Sequence, residues 1–213
     1  MEIRLPKKTA LKSTSGQDPV FFYYLPLLGG FYVQRLRMVI RLLGGRKANS
    51  ILEIGYGSGL FLPELSKWCD NLTGIDRHDR AAEVNNMLNE ERVKARLIKQ
   101  DITADMTIRE RFDIVVAVSV LEHLTDLDTV FRNIRDLMHK DSELIVGFPT
   151  ENAITRTLFR LLGYDPRRLH PTTHSEILSK LGQHFVVKEI KSWPSVLPVD
   201  WSLYVTVKCG IRV

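Results

Sequence analysis

Residues 51–59 read ILEIGYGSG: an apolar run that carries an acid at Glu53, then three glycines at alternate positions, Gly55, Gly57 and Gly59. A strand feeding such a turn lets the backbone approach a ligand closely, because a residue without a β-carbon tolerates positive φ. Leu60 follows Gly59, so the spacing is ExGxGxG and not the GxGxxG of dinucleotide-binding turns. The stretch predicts a cradle for a nucleotide-like cofactor between a strand and a helix.

Working outward, further strands deliver polar groups from their carboxyl ends. Asn71–Ile75 ends in Asp76, about 20 residues after Gly55, where a carboxylate can accept hydrogen bonds from both ribose hydroxyls. A third apolar stretch, 95–98, runs into Gln100 and Asp101. A fourth, Phe112–Val118 with Asp113 near its start, leads into Ser119-Val120-Leu121-Glu122-His123. Helical spacing is read over 31–43, stopped by Gly44-Gly45, then over 60–68, over 80–91 with Asp79 as N-cap, and over 126–139, 154–162 and 175–181. Strands are read at 143–148, 185–190 and 203–207. Alternating strands and helices imply parallel order with right-handed crossovers.

The ordered segments EIGYGSG, GIDRHD, KQDI and FDIVVAVSVLEHL resemble the motifs of class I S-adenosylmethionine-dependent methyltransferases, in particular the broad type 11 group acting on small molecules. The likeness runs from about Ser50 to the C terminus. It implies a Rossmann-like, doubly wound α/β fold: a mostly parallel seven-stranded sheet with an antiparallel C-terminal strand, here joined to an N-terminal helical arm. S-adenosylmethionine would be the methyl donor and S-adenosylhomocysteine the product.

On that resemblance Glu53 would steady the methionine portion, and the backbone of Gly55, Tyr56, Gly57, Ser58 and Gly59 would cradle the cofactor. Tyr56 stands where many relatives carry a small residue or cysteine. Asp76, beside Arg77, would take the ribose. Asp101 would meet the adenine amine and Ile102 would pack on the ring, with a plain N-cap as the competing role for Asp101. Carbonyls near Val118 and Ser119 would suit the ammonium. VSVLEHL has neither the Asn/Asp-Pro-Pro-Tyr/Phe sequence of amino-group enzymes nor the Pro-Cys pair of cytosine carbon-5 enzymes; it resembles small-molecule, quinone or lipid methyltransferases.

Methyl transfer by in-line displacement requires no metal or covalent intermediate, but a hydroxyl acceptor must lose a proton. His123, just past the fourth strand, is the candidate general base, with a purely structural role as the alternative. His170 and His174 stand four apart in HPTTH. Pro171 disfavours a helix there and no HExxH glutamate is present, so they are read as loop residues lining the pocket or capping the next helix, and no metal is expected. Tyr24 and Tyr32 join the candidate acceptor contacts.

At 213 residues the chain suits one domain, 50–213, with an arm over 1–49 and an acceptor-pocket insertion over 152–174. Charge separates the two parts. Residues 1–50 hold nine Lys or Arg against Glu2 and Asp18, a surplus of seven within a net charge of +5. The uncharged run Val20–Val33, VFFYYLPLLGGFYV, is too short for a bilayer span and is broken by Pro26 and Gly29-Gly30. Three uses of the arm stay open: a helix packed at the sheet edge, a lid over an apolar or lipid-like acceptor, and peripheral membrane contact through residues 20–47. Nucleic acid is disfavoured, since the basic residues follow no groove-reading motif. Cys69 and Cys209 form no CxxC pair, and with no signal peptide read at the start a cytoplasmic setting is expected. A non-catalytic cofactor-binding or partner-binding module of the same fold is the rival function.

Overall fold

A computed structural model describes residues 3–14, 18–26, 28–153, 155–157 and 170–212. Its seven strands are β1 (Ala48–Ile54), β2 (Cys69–Asp76), β3 (Arg96–Lys99), β4 (Phe112–Val118), β5 (Met138–Pro149), β6 (Phe185–Trp193) and β7 (Tyr204–Ile211). They form one sheet in the order β3-β2-β1-β4-β5-β7-β6. Strands β1 to β5 pair in parallel, and β7 runs antiparallel to both β5 and β6. The doubly wound, Rossmann-like fold expected from the sequence is present.

Six helices are described: α1 (Val20–Tyr23), α2 (Leu28–Leu43), α3 (Leu62–Leu65), α4 (Ala81–Glu90), α5 (Leu127–Asp136) and α6 (His174–His184). The central strands are apolar on both faces because both are covered. Leu52, Ile54, Val115 and Ala117 join α5 and α6 residues such as Phe131 and Ile177 in one apolar cluster. Their alternates Ile51, Ile114 and Val116 join α2, α3 and α4 in the other. Helix α2 of the arm therefore packs on one face of the sheet, against β5 and β7, and not on its edge strands. Leu36, Val39, Ile40 and Leu43 form the buried stripe of α2, which stops at Gly44 and Gly45, both at positive φ. Among the arm's large apolar side chains Phe21 remains 56% exposed.

Several expected boundaries move. The Asp79 cap is not made: α4 starts at Ala81, and Arg80 precedes it with its Nε donating to Glu83. Helix α5 stops at Asp136, not His139, because Met138 already pairs with Phe112 as the start of β5. The 60–68 helix is present from Leu62, as an α-helical turn at Leu62–Leu65 continued by a 3-10 turn at Ser66–Trp68, before β2 begins at Cys69. Its counterpart α6 is longer than expected, opened by Thr173 and Glu176 in a reciprocal capping box. The expected helix over 154–162 and most of the 152–174 insertion lie outside the described residues. Among the described residues no helix is long and apolar enough to cross a membrane.

Candidate functional site

The carboxyl ends of β1, β2 and β4, the segment after β3, and the start of α2 surround a cavity of about 510 Å³. Strand order reverses between β1 and β4, which places a crevice at the ends of those strands.

The β1 side is made mostly by backbone. Gly55 has φ +73°, and a β-carbon there would lie 2.5 Å from a Val120 methyl; at Gly59, φ +78°, it would lie 2.5 Å from Val84. Neither position has room for a side chain. The Gly55 N–H donates to Ile75 C=O at 2.8 Å, and the Gly57 N–H donates to Asp76 Oδ2 at 2.8 Å. His78 bonds Gly57 C=O through Nε2 at 2.9 Å and packs edge-on against Tyr56. The glycine loop is thus tied to the end of β2. After β3, Asp101 Oδ1 accepts from the backbone and hydroxyl of Thr103, closing a turn that presents Ile102 to the cavity.

Polar atoms without partners gather at this cavity. Glu53 is buried, its Oε2 has no hydrogen-bond partner, and burial with the nearby Asp76 charge pushes its carboxyl up to about 8. The Tyr56 hydroxyl and Arg35 Nε are likewise buried and unbonded. Buried polar groups are seldom left this way, so a ligand bearing both charges suits the residues present.

The opposite wall is assembled from distant side chains. Arg35 of α2, 8% exposed, donates from Nη1 to Ser119 Oγ at 3.1 Å and from Nη2 to Tyr23 Oη at 3.1 Å. Ser119, itself at φ +55°, shares a hydrogen bond with Tyr204 Oη at 3.1 Å. The guanidinium lies over the Tyr32 ring at 4.1 Å. Burial lifts the Tyr204 and Tyr23 hydroxyls above their ordinary range even though Arg35 opposes the shift.

Of the residues singled out by sequence, Glu53, Gly55, Tyr56, Gly57, Ser58, Asp76, Arg77, Asp101, Ile102, Val118, Ser119 and His123 line one cavity. Gly59 lies behind it. Tyr32 stacks on Phe22, and Tyr24 donates to Pro6 C=O, both away from the wall. His174 opens α6, where its Nδ1 accepts from Glu151 N–H and its Nε2 faces Asp200. His170 sits beside His123 with ring centroids 5.2 Å apart. Sequence reasoning missed Arg35, Tyr23, Asp18 and Gln100, all of which line the cavity. For Arg35 a signal existed: Phe31 and Tyr32 stand four and three positions before it, the spacing that stacks a guanidinium on aromatic faces.

Residues 52–146 match a family model described as a methyltransferase domain. The chain is 27% identical over 135 residues to nodulation protein S of Azorhizobium caulinodans, covering 61% of this chain and 63% of that protein. It is 28% identical over 145 residues to the ubiquinone biosynthesis O-methyltransferase of Nitrosomonas europaea, covering 66% and 61%. The chain thus spans less than two thirds of the length of these curated relatives. In fold it is similar to the N-methyltransferase NodS of Bradyrhizobium japonicum WM9 in complex with S-adenosyl-L-homocysteine, with a TM-score of 0.69 at 20% identity over 94% of this chain and 95% of that one. Over residues 52–146 the chain is thus similar to a methyltransferase domain, and its sheet order and cavity are those of that fold.

Proposed function

We propose that the protein transfers a methyl group from S-adenosylmethionine to a small acceptor that is apolar or lipid-like around its reacting atom. When bound, the cofactor supplies a methyl group on a positively charged sulfur, an electrophile that needs no metal or covalent intermediate. The observation that carries this reading is the pairing of buried, unbonded Glu53 and Arg35 atoms in one cavity, groups of opposite sign suited to an ammonium and a carboxylate.

Each residue then has a task. Asp76, already oriented by the Gly57 N–H, would hold the ribose hydroxyls, and Ile102 with Asp101 would take the adenine end. Glu53 and the carbonyls of Val118 and Ser119 would receive the ammonium, and Arg35 with Tyr23 the carboxylate. Pro19, Leu36, Val120, Leu124 and Pro171 supply apolar wall, which favours an acceptor with an apolar body and excludes water from the displacement. His123, on the same wall, is assigned to the acceptor. Peripheral membrane contact through the arm gains less support, since the apolar stripe of α2 is buried on the sheet.

The test is calorimetric titration of the full chain with S-adenosylmethionine and S-adenosylhomocysteine. Saturable binding in the micromolar range is expected; no heat with either compound would leave the fold without its proposed activity.

A further inference from the structure

We propose that Glu122, His123 and His170 form a binding site for a divalent first-row transition-metal ion at the acceptor end of the cavity. One ligand atom from each of the three lies within 4.8 Å of the others. They come from two segments fastened together. The Thr172 N–H donates to Glu122 C=O at 3.3 Å, and the Thr172 hydroxyl donates to Leu124 C=O at 2.5 Å. This places His170 against the turn that carries the other two.

The donor set is what such an ion takes. Two imidazoles and one carboxylate make a three-ligand set that leaves coordination positions open, as in catalytic zinc and non-haem iron(II) sites. A second observation points the same way. Glu122 is 2% exposed, and its Oε2 is buried with no hydrogen-bond partner. A buried carboxylate oxygen left without a partner is costly unless a cation or donor reaches it. Glu151 Oε1 lies 3.8 Å from His170 Nδ1, placed as an outer carboxylate behind a ligand imidazole.

Arg35 opposes the ion, since its charge is felt at both Glu122 and His170. That guanidinium is stacked against the Tyr32 and Tyr204 rings and held by Ser119 and Tyr23. When bound, the ion would supply Lewis-acid activation, by which an acceptor hydroxyl at an open position would give up its proton to solvent water more readily, and His123 would serve as a ligand in place of a base. That role rests on the methyl-transfer reading; occupancy of the site does not.

The experiment uses tag-free full-length protein, stripped with chelator and dialysed separately against Zn(II), Mn(II) and Co(II), with bound metal measured by mass spectrometry and Co(II) also by its visible absorption. One ion per chain is expected. Glu122→Gln and His170→Gln should each weaken uptake by more than the roughly 10–100-fold that loss of an outer partner costs. His139→Gln, a histidine paired with Asp113 at the amino-terminal end of β5, should leave uptake unchanged. If Glu122→Gln fails to fold by circular dichroism, His123→Asn replaces it. Substoichiometric uptake of all three metals, or uptake that survives the ligand variants, overturns the site. S-adenosylhomocysteine titration of the same intact preparation keeps that failure distinct from a failure of the methyltransferase reading.

Discussion

One wall of the cavity is held by near neighbours in sequence and the other by strangers. Gly57 bonds Asp76 across 19 positions and His78 across 21, offering its backbone N–H and C=O to their side chains. On the facing wall Arg35 reaches Ser119 across 84 positions and Ser119 meets Tyr204 across 85, entirely through side chains. A backbone cradle presents the same donors and acceptors whatever the side chains are, which suits a cofactor that does not change. A wall of side chains can be rebuilt one residue at a time, which suits an acceptor that differs between enzymes.

The largest expected effect breaks the backbone wall. Asp76→Ala removes a carboxylate placed for two ribose hydroxyls, each bond to a charged group contributing about 1.5–3 kcal/mol, so affinity for S-adenosylhomocysteine should fall roughly 100-fold or more. Calorimetry reads it directly; a change below about fivefold would separate Asp76 from the ribose.

Arg35→Met tests whether the far wall also serves the cofactor. Loss of a charge-assisted contact to the carboxylate should weaken S-adenosylhomocysteine about 30-fold, within the range of such bonds, and leave adenosine binding unaltered. Equal losses for both ligands would place Arg35 in the architecture of the cavity and not on the carboxylate.

The smallest effect concerns Glu53. With its carboxyl near 8, the free protein holds a proton there at pH 7. A cationic cofactor favours the ionised form, so binding expels the proton and affinity rises with pH, by about fivefold between pH 7 and 8, levelling above that. Glu53→Gln should flatten the profile. The same shift has the opposite sign for the free protein: a buried acid with a raised value holds more protons than the unfolded chain, so its contribution to stability falls as pH rises from about 4.5 to 8.

The contrast between the walls also explains what could be read from the sequence. Glycine spacing, the acid ending β2 and the alternation of strands and helices are local signals, and they delivered the strand order's parallel half and the residues of the cradle. Arg35 reads as one of three arginines within the helix over 31–43, and nothing local says that α2 packs on β5 and β7 with that arginine aimed inward. The proximity of Glu122 and His123 to His170 was hidden for the same reason: it depends on Thr172 bonding to a turn 50 and 48 residues earlier. Asp79 failed as a cap because the helix start was read to within one residue, finer than periodicity resolves.

The placement of α2 has a consequence for the order of assembly. The helix is synthesised before any strand, yet its buried stripe needs Ile114, Val116 and Ile145, and Arg35 needs Ser119 and Tyr204. Contacts of such long range form late in folding and slow it. Helix α2 must therefore wait for β7, and a chain interrupted before that strand would hold a nearly complete glycine cradle facing a wall not yet built.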